Sequence, residues 1–273
     1  MNVLLIGYGA IAQEVLKHIQ PGEDANIAAI LVRPARVDDV RAAVAARGIE
    51  VVSSLDELDE LDEPAVTPQL VAECAGHGGV RAYGADALRR GMDFLVISIG
   101  VLADFALYAE LEQAAKDGGA KLVLAAGAVA GADALAAASI GGLDRVSYTS
   151  RKPPGAWKGT PAEGVCDLDA LTAETTLYQG GADAAATLYP QNANVAATIA
   201  LAGAGFANTD VRLVADPAAG GNIHQIHAEG AFGAFDIEIR GKPLPDNPKT
   251  STLAAHSVIA EIRRRAGSVE IGG

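Results

Sequence analysis

The chain has 273 residues, of which 50% are apolar and 20% are charged. This composition indicates a folded protein with one large domain or two smaller ones, because a disordered chain contains fewer apolar residues. Acidic residues outnumber basic ones by 34 to 21, and the net charge of −13 argues against nucleic acids and anionic membranes as partners. Two cysteines, Cys74 and Cys166, allow one disulfide at most, which favours a reducing, cytoplasmic setting.

We expect neither a secretory signal nor a membrane span. No basic stretch precedes the apolar residues that follow Asn2, unlike in a signal peptide. The uncharged stretch 191–209 is interrupted by asparagine and threonine, whereas a span needs about 20 mostly apolar residues. These features favour a cytoplasmic enzyme or binding protein.

The first half of the chain alternates short apolar runs with longer helical segments. The predicted strands are Asn2–Ile6, Asn26–Val32, Glu50–Val52, Leu70–Glu73, Asp93–Ile97 and Lys121–Leu124. The predicted helices are Ala10–Gln20, Asp38–Arg47, Val80–Arg90 and Asp104–Lys116. Strands separated by helices in this way are typical of a parallel sheet covered on both faces, so we predict an α/β, doubly wound Rossmann domain over residues 1–126. The acidic stretch 56–63 predicts a solvated turn or short helix.

After Gly127 the pattern changes to strand candidates at hairpin-like spacing. They are Arg145–Thr149, Asp210–Ala215, Ile223–Glu229 and Phe235–Arg240. We therefore predict a second, α+β domain over residues 127–249 with a mostly antiparallel sheet. A closing helix over 250–273, capped by Thr250 or Ser251, is expected to complete the first domain.

A glycine-rich turn follows the first predicted strand. It reads Gly7-Tyr8-Gly9-Ala10-Ile11-Ala12 and opens the first predicted helix. Gly7 permits a tight turn, Gly9 allows close approach of a pyrophosphate, and Ala12 lets the helix lie near the sheet. The N–H groups at the helix start, including those of Ala10 and Ile11, can bind phosphate. We predict a dinucleotide site here; the alternative is a merely tight turn.

The end of the second strand bears on the choice of dinucleotide. A carboxylate there holds the ribose hydroxyl of NAD, whereas an arginine suits the additional phosphate of NADP. Arg33 follows this strand, and no carboxylate appears before Asp38. We predict that both NAD and NADP are used, although Arg33 can equally be a solvated surface residue.

A second group of residues is predicted at the carboxyl edge of the sheet. Glu73-Cys74-Ala75-Gly76-His77 follows the fourth strand, so Ala75, Gly76 and His77 are expected to border the cofactor. Cys74 fits a small buried residue better than a metal ligand, because the chain has no set of cysteines and histidines at metal-binding spacing. We predict no metal site.

The histidines of the later strands cannot be separated by spacing alone. His224 and His227 are three residues apart, and in a strand such residues point to opposite faces. They therefore cannot serve the same site, and either can be structural. His18 and His256 lie in predicted helices and are expected to be structural or solvated.

Several longer motifs carry a family resemblance along nearly the whole chain. Besides the glycine turn and residues 73–77, they are residues 126–128, 133–135, 151–153, 156–157, 159–161, Tyr189–Thr198, Asn222–Gln225, Gly230–Gly233 and Pro243–Ser251. With these motifs the chain resembles the L-aspartate dehydrogenases. Two departures are local: Ala12 replaces a third glycine, and Gly220-Gly221 precede Asn222 where bulkier residues are expected.

The resemblance implies an activity and a set of residues. The activity is oxidation of L-aspartate by NAD or NADP to iminoaspartate, which water hydrolyses to oxaloacetate and ammonia. His224 is implied as the active-site histidine and general base, and Ala128 and Asn194 as contacts of the nicotinamide cofactor. Asn194 is also expected to contact the substrate. We further expect a homodimer and a role in pyridine nucleotide biosynthesis or aspartate degradation.

The substrate's two carboxylates need local cations, because the net charge of −13 repels them at long range. Lys249, Thr250 and Ser251, at a predicted helix start, are the preferred carboxylate site. Arg151, Lys152 and Lys158 are weaker candidates, since such residues are commonly solvated surface charges.

Two alternatives remain open from the sequence. One is a related two-domain reductase of the homoserine dehydrogenase or dihydrodipicolinate reductase type. The other is a catalytically silent NAD(P)-binding sensor that has kept the fold. Retention of His224, Asn194 and Lys249 together disfavours the sensor.

Overall fold

The structure is a computed structural model, which describes residues 1–61, 67–190, 192, 194–245 and 247–269, without the side chains of residues 248 and 249. The chain divides into two compact units. The first contains Met1–Ser98, Asp104–Ala125 and the described residues from Ala254 onward, and the second contains Ile99–Ala103 and Ala126–Leu253. The domain boundaries expected from the sequence stay a prediction.

The secondary structure alternates in the first unit and is strand-rich in the second. The strands are β1 (Asn2–Ile6), β2 (Asn26–Leu31), β3 (Glu50–Val52), β4 (Leu70–Glu73), β5 (Asp93–Val96), β6 (Leu122–Leu124), β7 (Leu143–Lys152), β8 (Thr175–Gly181), β9 (Thr209–Ala215), β10 (Asn222–Gly230), β11 (Gly233–Gly241), β12 (Pro243–Leu244) and β13 (Asn247–Ser251). The helices are α1 (Ala10–His18), α2 (Val37–Val44), α3 (Asp56–Glu60), α4 (His77–Arg89), α5 (Phe105–Gly118), α6 (Ala132–Ser139), α7 (Ala182–Leu188), α8 (Asn194–Ala202) and α9 (Thr252–Ala266).

The sheet of the first unit has six parallel strands in the order β3-β2-β1-β4-β5-β6. Its central strands β1 and β4 are mostly apolar, as is typical of a parallel sheet covered on both faces; Val3, Leu4 and Leu5 of β1 have no solvent exposure. The strand order reverses at β1, whose neighbours in the sheet are β2 and β4. Ligands of such sheets bind at the point of reversal. The predicted doubly wound sheet is confirmed.

The last helix, α9, belongs to the first unit by its contacts. Val258, Ile259 and Ile262 join the apolar core formed by β1, β2 and α1. Arg265 forms ion pairs with Asp93 and Glu261. The side chains therefore attach α9 to the parallel sheet through both apolar contact and charge.

The predicted bounds of the closing helix, 250–273, are wrong at the described end. Helix α9 begins at Thr252, because Asn247–Ser251 pairs with β12 as a strand, and it ends at Ala266 before Gly267. Thr250 and Ser251 therefore lie in β13, and Ser251 directly precedes the first residue of α9. Residues 270–273 of the prediction lie outside the described residues, as do residues 62 and 63 of the acidic stretch, whose first part forms α3.

The second unit contains a five-stranded sheet in the order β11-β10-β7-β9-β8. Three of its four strand pairs are antiparallel, and β7 with β9 is parallel. Helices α7 and α8 contact β9. The predicted mostly antiparallel α+β architecture is confirmed. Within the described part of the chain, no helix has the length and apolar character required to cross a bilayer.

Candidate active site

The turn between β1 and α1 has a conformation that requires glycine. Gly7 has a φ of +94°, and its N–H donates a hydrogen bond of 2.8 Å to the carbonyl oxygen of Leu31. A Cβ atom at Gly7 would lie 3.0 Å from the Cβ of Ala75 and 3.1 Å from the carbonyl oxygen of Cys74. A larger residue is therefore excluded both by the backbone angle and by the neighbouring loop.

Helix α1 begins without a side-chain cap. Gly9 is its N-cap residue, and a glycine has no side chain that could accept a hydrogen bond from the first turn. Ala10 and Ile11 open the helix, and Ala12 is fully buried against the sheet. The uncapped N–H groups and the positive end of the helix dipole suit an anionic ligand such as a pyrophosphate.

A cavity of about 690 Å³ adjoins this turn within the first unit. It is lined by the loops after β1, β2 and β4 and by α4. The predicted cofactor residues among its lining are Gly7, Gly9, Arg33 and Ala75. Gly76, with a φ of +85°, is the N-cap of α4, and His77 is that helix's first residue. The cavity therefore joins three predicted motifs that are distant in sequence, and the glycines leave room for a dinucleotide.

A buried carboxylate holds the loop after β4 in place. Glu73 has no solvent exposure, and its carboxylate accepts hydrogen bonds from the N–H groups of Ala75, Gly76 and Ser98, at 2.7, 2.6 and 3.1 Å. Burial raises the pKa of Glu73, and these hydrogen bonds oppose the increase. Because the carboxylate already accepts hydrogen bonds from three backbone N–H groups, Glu73 shapes the cavity wall rather than contacting a ligand.

The cavity wall at the end of β2 is cationic. Arg33 and Arg36 both line it, and no lining residue within the described chain carries a carboxylate. Arg36 lies 3.9 Å from Asp39, on an exposed surface. The site therefore lacks the acidic residue that typically binds the ribose of NAD, and it offers guanidinium groups to a phosphate.

In the second unit, His224 lies on the buried face of the sheet. His224 is paired with Ser150 of the neighbouring strand β7, and the exposed fraction of His224 is 3%. A hydrogen bond of 2.8 Å joins the Nδ1 atom of His224 to the hydroxyl of Tyr148. Its Nε2 atom is buried and has no hydrogen-bond partner among the described residues. A buried polar atom without a partner is costly unless a ligand satisfies it.

Burial also determines the charge of His224. Burial, with a smaller contribution from the positive charge of Lys152, lowers the pKa of the imidazole to about 4. Burial raises the pKa of the Tyr148 hydroxyl. Both groups are therefore neutral at pH 7, and the imidazole can accept a proton.

His227 lies on the opposite face of β10, as the spacing of three predicts. It is partly exposed, and its Nδ1 atom lies 2.9 Å from a carboxylate oxygen of Asp236. The structure therefore separates the two histidines that the sequence could not distinguish.

Lys152, a weaker candidate in the sequence analysis, is buried in the second unit. It is 8% exposed, and its ammonium nitrogen donates a 2.7 Å hydrogen bond to Oδ1 of Asn192 and lies 5.2 Å from the ring centroid of Trp157. Burial lowers its pKa to about 8. The period-two alternation of Val146, Tyr148, Ser150 and Lys152 along β7 could have revealed its inward position.

The two other cations near it in sequence, Arg151 in β7 and Lys158 beyond the strand, are paired with carboxylates. Arg151 forms ion pairs with Glu174 and Asp216, and Lys158 lies 2.6 Å from Asp169. Each of these cations is therefore neutralised by this chain's own carboxylates.

The remaining predicted residues lie elsewhere in the second unit. Asn194 begins α8, and its side-chain oxygen accepts a 2.9 Å hydrogen bond from the N–H of Gly100. Ala128 lies in the loop after β6 and is partly exposed. Thr250 and Ser251 end β13, and the Ser251 hydroxyl is buried without a partner among the described residues. Lys249 lies in the same strand, but its side chain is outside the described part of the chain.

His18 and His256 meet on the first unit's surface. Together with Glu14 they place one potential ligand atom each within 4.8 Å of the others. Glu14 already binds His18 at 3.0 Å and Lys17 at 3.2 Å. These contacts account for the cluster as a hydrogen-bonded surface network, and the absence of a metal stays a prediction.

Two family models match the chain. The model described as the C-terminal domain of aspartate dehydrogenase covers residues 133–265. The model described as the NAD-binding domain of homoserine dehydrogenase covers residues 7–125. The two matches meet near the point at which the sequence pattern changes.

The chain is similar to L-aspartate dehydrogenases over nearly its whole length. The L-aspartate dehydrogenase of Ruegeria pomeroyi is 48% identical over 98% of this chain and 94% of its own length. That of Ralstonia nicotianae is 46% identical over 99% of this chain and 100% of its own length. Among solved structures, aspartate dehydrogenase from Thermotoga maritima superposes with a TM-score of 0.76 at 25% identity, over 100% of this chain and 99% of that one.

Proposed function

Because the chain belongs to the family of L-aspartate dehydrogenases, we propose that it oxidises L-aspartate to iminoaspartate with NAD+ or NADP+ as the oxidant. Water then hydrolyses the imine to oxaloacetate and ammonia. The hydride leaves Cα of the substrate, and the amine gives up a proton. The enzyme must therefore bind a dinucleotide, hold a dicarboxylate and accept a proton.

The unpaired Nε2 atom of His224 is the observation that supports this proposal most directly. It is a buried, neutral proton acceptor in the unit matched by the aspartate dehydrogenase model. A structural histidine in a packed core usually has both ring nitrogens satisfied by its own chain. The missing partner is supplied, in our proposal, by the substrate amine or by the attacking water.

Tyr148 determines which nitrogen of His224 can act as the base. For Nε2 to accept a proton, the neutral ring must carry its hydrogen on Nδ1 and donate it to the Tyr148 oxygen, 2.8 Å away. The opposite arrangement would place the hydrogen on Nε2 and abolish its basicity. We therefore assign His224 as the general base and Tyr148 as its positioning residue.

The dinucleotide supplies the hydride acceptor when bound. Gly7 and Gly9 give its diphosphate access to the start of α1, and the wall containing Ala75 closes the cavity beside it. Gly76, His77, Ala128 and Asn194 are proposed as further cofactor contacts, and Asn194, Lys249, Thr250 and Ser251 as substrate contacts. We propose that NAD and NADP both bind, since Arg33 can accompany either ribose.

The purified protein, mixed with L-aspartate and either NAD+ or NADP+, tests this function by the appearance of reduced nicotinamide. Turnover with L-aspartate is the expected result. Activity only with another amino-acid pathway intermediate would favour a reductase of the homoserine or dihydrodipicolinate type, although the match over residues 133–265 disfavours it. Nucleotide binding without any turnover would favour the silent sensor.

We also propose a homodimer in a reducing, cytoplasmic setting, with a role in pyridine nucleotide biosynthesis. The two cysteines are unpaired, which is consistent with such a setting. Strand β11 is an edge of the second sheet and is largely exposed, so a second copy can cover it. Light scattering of the purified protein measures the oligomeric state.

A further inference from the structure

Lys152 is a buried cation for which the described residues provide no counter-ion. It is 8% exposed, and no carboxylate of a described residue forms an ion pair with it. Proteins rarely bury a charged ammonium unless it is paired, because removal from water costs more than neutral hydrogen bonds return. The fold alone therefore does not explain why a charged lysine is buried at this position.

The immediate neighbours orient the ammonium group but do not neutralise it. The carboxamide of Asn192 accepts one of its three hydrogens, at 2.7 Å, and the Trp157 ring provides a cation–π contact at 5.2 Å. Trp157 is itself fully buried, so the ring is a rigid platform. Among the described residues no second side chain accepts from the ammonium group, so two of its hydrogens can serve an acceptor from outside the chain.

The position of Lys152 relates it to the proposed base. Ser150 is paired with His224 across β7 and β10, and Lys152 follows two residues later, on the same face of the sheet. The positive charge of Lys152 lowers the pKa of His224, which is consistent with their positions on the same face. A fixed cation and an unpaired imidazole nitrogen thus lie on one buried surface of the second unit.

We propose that Lys152 binds a carboxylate of the substrate, and so selects an amino dicarboxylate over neutral amino acids. This inference rests on the proposed function, which supplies a substrate with two carboxylates. The anion completes the ion pair that the fold leaves open, and the pre-oriented ammonium group loses little entropy on binding. The same contact holds the substrate beside His224.

Binding of succinate tests the proposal without turnover, because succinate has both carboxylates but no amine to oxidise. Calorimetry on the full-length protein saturated with NAD+ measures its affinity. Trp157 is the single tryptophan of the chain, so its fluorescence reports whether succinate binds beside Lys152. We expect saturable binding to the wild type, a change in fluorescence, and no binding of the neutral diamide succinamide.

Lys152→Gln should weaken succinate binding at least tenfold, whereas Lys152→Arg, which keeps the charge, should retain part of the affinity. The matched control is Lys158→Gln, which removes an exposed cation already paired with Asp169 and should bind like the wild type. Thermal unfolding checks that each variant folds; loss of an unpaired buried charge should not lower the Tm. If Lys152→Gln binds succinate as well as the wild type, or if the wild type binds none, the proposal is wrong.

The outcome can be separated from that of the proposed function. If the wild type oxidises L-aspartate while Lys152→Gln keeps its KM and its succinate affinity, the function stands and the lysine site fails. If succinate binding depends on Lys152 but L-aspartate is not oxidised, the carboxylate site stands and the substrate assignment fails. A raised KM with a smaller change in kcat would support binding by Lys152 over a purely structural role.

Discussion

The cavity beside Gly7 in the first unit and the surface around His224 in the second unit are formed by different parts of the polypeptide. The cavity is formed by backbone: a glycine with positive φ, an uncapped helix start and a loop held by Glu73. The His224 surface is formed by side chains from β7 and β10 that are 72 to 76 residues apart in sequence, such as Tyr148 and His224. A backbone site depends on local sequence, whereas a side-chain site depends on strand pairing.

Replacing His224 should separate the two regions most sharply. His224→Ala is expected to reduce kcat by about 10²–10⁴, the usual contribution of a general base, and to leave NAD+ affinity nearly unchanged. Steady-state kinetics and nucleotide titration measure the two effects. His227→Ala is the matched control, since His227 lies on the other face and contacts Asp236. Near-normal turnover of His224→Ala would remove His224 from the mechanism.

A change at Gly7 should lower nucleotide affinity, which His224→Ala is expected to leave nearly unchanged. In Gly7→Val, the valine must adopt a φ of +94°, and its Cβ is crowded by the neighbouring loop. We therefore expect strain of about 1–3 kcal/mol and a fall in nucleotide affinity of about tenfold or more. Calorimetry with NAD+ and thermal unfolding measure both. Gly22→Val is the control, because Gly22 has a φ of +91° but no atom within 4 Å of an added Cβ. Equal loss of nucleotide affinity in both variants would contradict a specific role for Gly7.

Arg33 provides a smaller and more selective test of the cavity. Arg33→Gln should weaken NADP+ by about tenfold, the loss of one charge-assisted phosphate contact, while NAD+ affinity changes little. Competition between the two nucleotides measures the ratio. Arg41→Gln is a suitable control, because Arg41 is paired with Asp38. Unchanged discrimination in Arg33→Gln would mean that this side chain is only a surface charge.

Protonation of His224 should respond to Lys152. On the β7 side, the titratable groups that act on the His224 imidazole are Tyr148 and Lys152. On the other side, the residue of β11 paired with His224 is Ile239, which does not titrate. Removing the cation in Lys152→Gln should raise the pKa of His224 from about 4, though burial keeps it below the ordinary value. The acidic limb of kcat/KM should therefore move to higher pH. An unmoved or lowered limb would contradict the coupling.

Binding of a carboxylate at Lys152 should act in the same direction in the wild type. The anion offsets the positive charge, so His224 becomes a stronger base when substrate is bound. Imidazole resonances, followed by NMR with and without succinate, measure the change. The Lys152→Gln variant should no longer respond to succinate.

Much of the first unit could be predicted because its signals are local. The six predicted strands agree with the observed ones to within about one residue at their ends, since each is a short apolar run bounded by turns. The second unit was harder. Strand β8, with paired glycines, and the alanine-rich helices α6, α7 and α8 lack a clear period, and their structure depends on packing.

The start of α9 illustrates the same limit. Thr250 and Ser251 are good helix caps by composition, and the sequence analysis used them as such. The helix begins at Thr252, so Ser251 directly precedes it, at the position of a cap. The pairing of β13 with β12, which places Thr250 and Ser251 in a strand, is not revealed by the local sequence.

By itself, the sequence determined the glycine turn, the parallel sheet and the presence of His224 within a characteristic motif. Those features follow from backbone preferences and apolar periodicity within short segments. Only the tertiary structure decided which histidine is buried and which of its nitrogens lacks a partner among the described residues. It also decided that, of Arg151, Lys152 and Lys158, only Lys152 has no carboxylate partner among those residues. Burial and charge pairing depend on residues brought together from distant strands and loops, so they arise only when the chain has folded.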